Sequence, residues 1–396
     1  MRPKDEGPGA GGQGAAAHAL ALIALVFVFA PGLLSACASS PAPPPPVFTR
    51  APTQVNAAAA SETPAPSAPP ATGTASPRPT SPPTPTSTPA PVLRQLTTGG
   101  CCVQPFWSPD GNEVWFIDRP GDAQPAGVWG VPASGGEPRF VTDRLGVFSP
   151  DGSLIAYPRA GATVVERLAD GEAWRVPADG RAVLFSPDSA QIAWQTASST
   201  LNFDRRIVEV WAAAVDGSGA RVVARLIGGA LLGWFPDSAR LLVVGREAVE
   251  TDPVLGAVDV ASGVLSGIVR TGNVRGAVVS PEGGWLVYQV AFSGDPLLDG
   301  IWITRVDGGN AVKVRAFGAY RWRAEGRLLL VPLEPGAASH RLVEIDAGTG
   351  IATPLTDPAV TAFRIAAGDW ALAPDGGRLV FVSAVDRNLW VLELPP

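Results

Sequence analysis

The chain has 396 residues, of which only 17 % are charged, and its formal net charge is −6. Binding to a nucleic-acid backbone depends on clustered Lys and Arg that neutralise phosphates. A weakly acidic chain without basic clusters excludes nucleic acid as an expected partner.

The N-terminal region has the pattern of an exported protein. Residues 18–34 read HALALIALVFVFAPGLL, an apolar run too short and interrupted for a membrane-spanning helix but suited to a signal-peptide core. Residues 34–37, LSAC, resemble the bacterial lipobox, in which the Cys is acylated and the chain is cut before it. The resemblance implies a signal peptide over residues 1–36 and an extracytoplasmic protein anchored to the bacterial cell membrane through Cys37. A plain secretory signal with a chance Cys is the alternative.

Residues 37–91 consist almost entirely of Pro, Ala, Ser and Thr. Such a segment has too few large apolar side chains to offset the entropy cost of ordering. We expect the lipidated Cys37 to be followed by a disordered tether that could extend for roughly 170 Å at about 3.1 Å per residue.

A turn motif related to Ser-Pro-Asp-Gly recurs seven times after residue 92. The copies read FWSPDGNEVWF from residue 106, VFSPDGSLIAY from 147, LFSPDSAQIAW from 184, GWFPDSARLLV from 233, VVSPEGGWLVY from 278, the degenerate RWRAEGRLLL from 321 and ALAPDGGRLVF from 371. Pro presets the first turn position, Asp bonds to nearby backbone, and Gly accepts a positive φ. Each copy is therefore predicted to be a hairpin that joins two strands.

The turn motif also accounts for five recurrent aspartates, so metal binding is not needed to explain why they recur. Each lies in its own hairpin, well separated from the others, so we interpret them as structural turn residues rather than calcium ligands. They are Asp110, Asp151, Asp188, Asp237 and Asp375.

Two further strands follow most copies, which predicts an all-β protein: a β-propeller of seven four-stranded blades over residues 92–396. Residues 388–396 supply only the third strand of the last blade. Residues 91–97, PVLRQLT, are predicted to complete that blade and close the ring, which removes an exposed edge. Six blades are the alternative, with residues 321–330 as an insertion.

These repeats resemble the TolB-type, WD40-like β-propeller repeat over residues 92–396. The resemblance implies the propeller fold and is specific for it. It implies little about function, because the same module occurs in non-catalytic propellers attached to peptidases.

The candidate chemistry is sparse. After Cys37 the only His is His340, and there is no Gly-x-Ser-x-Gly elbow, so a nucleophile–His–acid triad is not supported. Zinc sites need His and Cys at close spacing, which this region lacks. We therefore expect no metal, no cofactor and no enzymatic activity.

The residues that break the repeat direct the functional hypothesis. Cys101 and Cys102 are adjacent and have no other partner once Cys37 is lipidated, so they form either a vicinal disulfide or two packed thiols. They lie between an outer and an inner strand, at the channel mouth opposite the turn motifs. We expect this mouth to bind a protein, peptide or glycan through residues 99–102, 142–146, 270–276 and 357–369. The alternatives are a metal-dependent propeller enzyme, lactonase-like or cyclase-like, and a structural spacer in the cell envelope.

Overall fold

The computed structural model describes residues 91–198, 202 and 205–395. These residues form 27 β-strands joined by turns, and they contain no helix. Accordingly, no helix capable of crossing a membrane is found in this described part of the chain. The predicted signal peptide, Cys37 and nearly all of the predicted tether lie outside the described residues.

The strands vary in length from two residues to fourteen, and β13 is the longest of them. In chain order they are β1 (Val92–Gln95), β2 (Val103–Trp107), β3 (Glu113–Asp118), β4 (Gly127–Pro132), β5 (Arg139–Thr142), β6 (Val147–Phe148), β7 (Leu154–Arg159), β8 (Ala162–Arg167), β9 (Ala173–Val176), β10 (Leu184–Phe185), β11 (Gln191–Ala197), β12 (Ile207–Ala214), β13 (Arg221–Trp234), β14 (Arg240–Arg246), β15 (Val254–Asp259), β16 (Leu265–Arg270), β17 (Val274–Val279), β18 (Trp285–Val290), β19 (Gly300–Arg305), β20 (Val312–Val314), β21 (Gly318–Ala324), β22 (Arg327–Pro332), β23 (Val343–Asp346), β24 (Ala352–Pro354), β25 (Ile365–Leu372), β26 (Arg378–Ser383) and β27 (Leu389–Glu393).

The strands are organised as a ring of small antiparallel sheets. Five sheets have four strands: β2–β5, β6–β9, β17–β20, β21–β24, and β25–β27 with β1. One sheet has seven strands, β10–β16, because β13 pairs with β12 through its first half and with β14 through its second half. The all-β, propeller-like architecture predicted from the repeat is confirmed. The count of seven separate blades stays a prediction.

Each turn motif ends an inner strand and begins the next strand of the same sheet, as predicted. The inner strands are β2, β6, β10, the second half of β13, β17, β21 and β25, and neighbouring ones contact each other, for example β2 with β25 and β21 with β25. The second strands are buried on both faces, as in β26 and β14, because each sheet packs between two others. This explains their continuous apolar runs in place of an alternating pattern.

The ring is closed by pairing between the two ends of the described chain. Strand β1 pairs antiparallel with β27, from Val92 opposite Glu393 to Gln95 opposite Trp390. The ladder is prolonged by the Leu96 amide, which donates to the Leu389 carbonyl at 2.8 Å, and by the Leu389 amide, which donates to Thr97 Oγ1 at 2.9 Å. The prediction that an N-terminal strand completes the last sheet is confirmed.

Replacing Thr97 with Val should weaken this closure. Val has the same shape but no hydroxyl, so the buried Leu389 amide loses its acceptor, and the free energy of unfolding should fall by about 1–3 kcal/mol. Denaturant unfolding followed by Trp fluorescence measures this change. The matched control is Thr353→Val in β24, where the side chain is exposed. An equal effect in both variants would contradict the closure argument.

Candidate functional site

The turn aspartates are held by their own hairpins. Ser108 Oγ donates to Asp110 Oδ1 at 2.6 Å, and the Asn112 amide donates to the same oxygen at 3.0 Å. These bonds favour the ionised carboxylate and lower the pKa of Asp110 to about 2, with the Ser108 hydroxyl as the largest cause. Equivalent backbone amides bond to the carboxylates of Asp151, Asp188, Asp237 and Asp375. All five aspartates thus make the hydrogen bonds within their own hairpins that a structural turn residue makes.

Consecutive turns are also bonded to each other. The amide of Asp151 donates to Ser189 Oγ at 3.2 Å, and the amide of Asp188 donates to Ser238 Oγ at 3.0 Å. Ser189 and Ser238 stand where other copies have Gly, and both adopt a positive φ, of 60° and 56°. The serine that stands at the glycine position therefore uses its hydroxyl to link its own hairpin to the preceding hairpin.

Tryptophans of the inner strands connect neighbouring repeats through their indole N–H groups. Trp107 Nε1 donates to the Ala371 carbonyl at 3.2 Å, Trp234 Nε1 to Leu184 at 3.0 Å, and Trp322 Nε1 to Val278 at 3.0 Å. In each case the acceptor lies on the inner strand of the preceding repeat. These indoles pack between neighbouring inner strands, and their N–H groups bond each strand to the preceding one.

The degenerate copy replaces the usual turn contacts with longer ones. Arg323, at the serine position, donates to Glu344 Oε2 at 2.9 Å, to the Gly376 carbonyl at 3.0 Å and to the Pro395 carbonyl. Glu325, at the aspartate position, accepts the amide of Glu282 at 2.9 Å from the preceding turn. Both charged residues thus have a structural role.

A central cavity of about 580 Å³ opens among the inner strands at the turn-motif end. Its wall includes Trp234, Val278, Trp322 and Arg321. Prolines of four turn motifs form its rim, namely Pro187, Pro236, Pro281 and Pro374. A second cavity of about 400 Å³, with Phe106, Trp115 and Phe148 in its wall, lies at the same end and shares Ala371, Leu372 and Pro374 with the first. The two cavities adjoin at these shared residues, and both walls are mainly apolar.

Arg321 is a charged side chain in the wall of the central cavity. Its guanidinium carbon lies 5.0 Å from the centre of the Trp370 ring, and Nη1 donates to the Tyr320 carbonyl at 2.8 Å. Burial disfavours the charged form and lowers the pKa of Arg321. The neighbouring Tyr320 hydroxyl donates to the Gly276 carbonyl at 2.6 Å, which fixes the wall on this side.

At the opposite end of the ring, Cys101 and Cys102 are joined by a disulfide. Cys102 is buried in the cluster formed by the first and last sheets, and Cys101 is half-buried against it. The Cys101 amide donates to the Arg387 carbonyl at 2.8 Å, and the Gly100 amide donates to Asn388 Oδ1 at 3.0 Å. The pair therefore lies against the closing sheet, and its predicted role at a ligand mouth stays a prediction.

The other predicted mouth segments are brought together only in part. The Gln104 amide donates to Asp369 Oδ2 at 3.4 Å, which joins the start of β2 to the segment 357–369. Burial raises the pKa of Asp369.

His340 contacts the same segment. Its Nδ1 accepts the Ile365 amide at 3.2 Å, and burial lowers the pKa of the His340 imidazole. Segment 142–146 bonds within its own repeat, where Arg144 contacts Glu166 at 3.2 Å.

Comparisons with known proteins place this architecture among solved structures. No family model matches the chain, and no curated protein matches its sequence. Two oligogalacturonate lyases are similar in structure, one solved in complex with manganese and one from Vibrio parahaemolyticus. They are 12 % and 10 % identical, each with a TM-score of 0.54, and the match covers 78 % of this chain and 98 % of each lyase. A putative TolB from Agrobacterium tumefaciens is 18 % identical, with a TM-score of 0.39, and the match covers 66 % of this chain and 94 % of that protein.

The β-propeller predicted from the TolB-type turn motif is confirmed at the level of fold by the arrangement of the sheets and by the similarity to the two lyase structures. The expectation that the chain is not an enzyme is wrong, because enzymes share this fold over nearly their whole length. The missing Gly-x-Ser-x-Gly elbow excluded one class of nucleophilic chemistry, and it could not exclude chemistry carried out within a propeller.

The manganese in one lyase raises the question of a metal site here. Within residues 91–198, 202 and 205–395, no group of three or more His, Cys, Asp or Glu side chains is arranged to hold a metal ion. The His, Cys, Asp and Glu side chains of these residues are therefore not arranged to form a manganese site made of protein carboxylates and imidazoles.

Sequence reasoning missed Arg321 as a functional candidate. The sequence analysis treated residues 321–330 as a decayed copy of the repeat or, in the six-blade alternative, as an insertion. A signal was available, because Arg321 is a charged residue at an inner-strand position where the other six copies have Phe106, Val147, Leu184, Gly233, Val278 and Ala371.

Replacing Asp188 with Asn should lower stability in a pH-dependent way. The Ser186 hydroxyl is the main cause of the lowered pKa of Asp188. A group with a lowered folded-state pKa contributes stability above its unfolded pKa of about 3.9, and this contribution is lost as the pH falls through the lower folded value. The melting temperature of Asp188→Asn should therefore be lower than that of the native chain at pH 6, and the gap should narrow towards pH 2.

Thermal melts monitored by circular dichroism at several pH values measure that gap. The control is Asp122→Asn, in an exposed loop where the backbone carbonyl of Asp122, not its carboxylate, accepts a hydrogen bond from Arg119. A gap that stays constant with pH would contradict the role assigned to the Asp188 carboxylate.

Proposed function

We propose that this chain is a propeller enzyme that acts on an oligosaccharide held in the central cavity. The observation that carries the proposal is the cavity itself, whose volume of about 580 Å³ suits a small ligand. Sites for small ligands are concave, mainly apolar and about 300–1,000 Å³ in volume. The shared fold with the oligogalacturonate lyases supports a carbohydrate as the class of ligand.

The cavity wall offers both kinds of contact that a sugar needs. The apolar side chains of Trp234, Val278 and Trp322 can pack against the C–H faces of sugar rings. Strands β17, β21 and β25 are edge strands of their sheets, so backbone groups without a partner strand lie along their inner edges. The carbonyls of Gly276, Val278 and Ala371 among them already accept side-chain hydrogen bonds, and the others can meet sugar hydroxyls. This combination supports a carbohydrate better than a purely apolar ligand.

The sequence also predicted a site at the opposite mouth of the channel. The two cavities described above lie at the turn-motif end, and this supports the turn-motif end as the place for the substrate. The sequence also left open a metal-dependent enzyme, lactonase-like or cyclase-like. The described residues contain no group of three or more His, Cys, Asp or Glu side chains that could hold its metal.

We also infer that the seven-stranded sheet corresponds to two blades that share β13, giving seven blades in total. The register of β13 against β14 shifts between Ile227 and Ala230, near the point where β13 leaves β12. This interruption supports a division of the sheet at that point.

Incubation with oligosaccharides tests the proposed activity. The full-length chain is mixed with oligogalacturonates or neutral galacto-oligosaccharides, with and without Mn²⁺, and new reducing ends are measured, since hydrolysis and elimination both create them. We expect turnover of at least one oligosaccharide. Val278→Trp, which fills the cavity, should abolish it, whereas the matched Val264→Trp, at an exposed turn, should retain it. Binding without turnover, or no binding at all, would overturn the enzyme proposal.

We propose that Cys37 anchors the protein to the membrane outside the cytoplasm. The lipobox-like residues 34–37 support this assignment. Two or three acyl chains are needed for stable anchoring, because one chain binds only marginally. In Cys37→Ser the protein should therefore move from the membrane fraction to the soluble fraction on cell fractionation, while Ser39→Ala should stay in the membrane fraction. A Cys37→Ser protein that remains in the membrane fraction would contradict the anchor.

A further inference from the structure

The Cys101–Cys102 disulfide has no part in the proposed activity, since it lies at the other end of the ring from the central cavity. It belongs to residues 96–102, the segment that joins the closing strand β1 to the inner strand β2. Cys102 is buried beside Leu96 and Leu389 of the first and last sheets, whereas Cys101 is half-buried. The disulfide therefore lies directly against the pairing of β1 with β27, the seam that closes the ring.

Hydrogen bonds connect the disulfide segment to this seam. The Thr97 hydroxyl accepts the Leu389 amide at 2.9 Å, and it donates to Cys101 Sγ at 3.1 Å, because a disulfide sulfur carries no proton to donate. The Cys101 amide donates to the Arg387 carbonyl at 2.8 Å, just before β27. A movement of the disulfide segment would therefore weaken the last bonds of the seam.

The backbone of Cys102 has a conformation that favours glycine. Its φ is 78°, in the left-handed region that residues with a side chain seldom adopt. The two side chains and the peptide bond between them form one small covalent ring, and the bond about which this φ turns is part of that ring. The oxidised pair therefore keeps Cys102 in this conformation. When the ring is opened, Cys102 can relax to a negative φ, which moves the segment away from the seam.

We propose that the Cys101–Cys102 disulfide is a site of thiol–disulfide exchange with a small dithiol, and that its reduction loosens the seam. One thiolate of the dithiol attacks the sulfur of Cys101, the more exposed residue of the pair. The S–S bond breaks, a mixed disulfide forms at Cys101, and Cys102 leaves with the electron pair and takes up a proton. The second thiolate of the dithiol then displaces Cys101, which is protonated in turn. The protein gains two electrons and two protons, and the dithiol loses both as it becomes a disulfide.

Alkylation and amide hydrogen exchange test the proposal on the full-length chain carrying Cys37→Ser, in which the pair supplies every cysteine. After dithiothreitol treatment without denaturant, mass spectrometry should find both members of the pair alkylated. Exchange over residues 92–102 and 385–393 should then rise about tenfold, the effect of letting one residue relax from the left-handed region when the seam opens. Exchange in β14 and β18, which belong to other sheets, should not change.

Two double variants separate the constraint of the covalent ring from the loss of the sulfur atoms. In Cys101→Ala/Cys102→Ala the ring is gone and alanine must adopt the positive φ unaided. The seam should therefore exchange as in the reduced protein, with or without dithiothreitol. In Cys101→Ala/Cys102→Gly the glycine adopts that φ at little cost, so exchange should stay close to that of the oxidised protein.

Each part of the proposal has a result that would overturn it. Free thiols before any reductant is added, or a pair that is alkylated only after denaturation, would overturn the exchange site. Reduction of the pair without a rise in exchange at the seam would overturn its link to ring closure. The comparison of oxidised with reduced protein keeps both cysteines, so it does not depend on the folding of either double variant.

Discussion

The ladder between β1 and β27 is the contact on which the ring of sheets depends. It joins residues about 300 positions apart, from Val92 opposite Glu393 to Gln95 opposite Trp390. Without it, β27 would be left as an open edge and the first and last sheets would not be held together by backbone bonds. The buried Thr97 hydroxyl and the disulfide loop of Cys101 and Cys102 prolong the same seam. The closing sheet thus joins the two ends of the described chain through backbone, side-chain and apolar contacts.

The closed ring limits which side chains are available for ligand contact. Each sheet is packed on both faces, so the middle strands are apolar throughout, and their side chains are occupied with neighbouring sheets. The turn carboxylates bond to their own hairpins, and the indole N–H groups of Trp107, Trp234 and Trp322 bond to the preceding inner strand. Polar groups that recur with the repeat are therefore committed to the fold. Side chains that depart from the repeat remain as candidates for ligand contact.

The fold was largely predictable from the sequence because its signals are local and repeated. Pro, Asp and Gly at fixed spacing define each hairpin, and the incomplete last repeat predicted the pairing of β1 with β27. The merging of β10–β16 into one sheet was not predictable, since it depends on β13 continuing through a segment rich in Gly between residues 227 and 234. The central cavity was also missed, because its wall is assembled from inner strands far apart in the chain.

The degenerate copy shows how a decayed repeat can keep its fold through different contacts. Two of its substitutions introduce charge, at Arg321 and Arg323, while Glu325 keeps the negative charge of the aspartate position. Arg323 and Glu325 replace the local turn contacts that Ser and Asp make elsewhere with contacts to other strands and hairpins, so the fold accounts for them. Arg321 stands at a wall position that is uncharged in the other copies, where it lies beside the Trp370 ring and donates to the Tyr320 carbonyl. The fold therefore tolerates a charged side chain at this position because the side chain makes contacts within the wall itself.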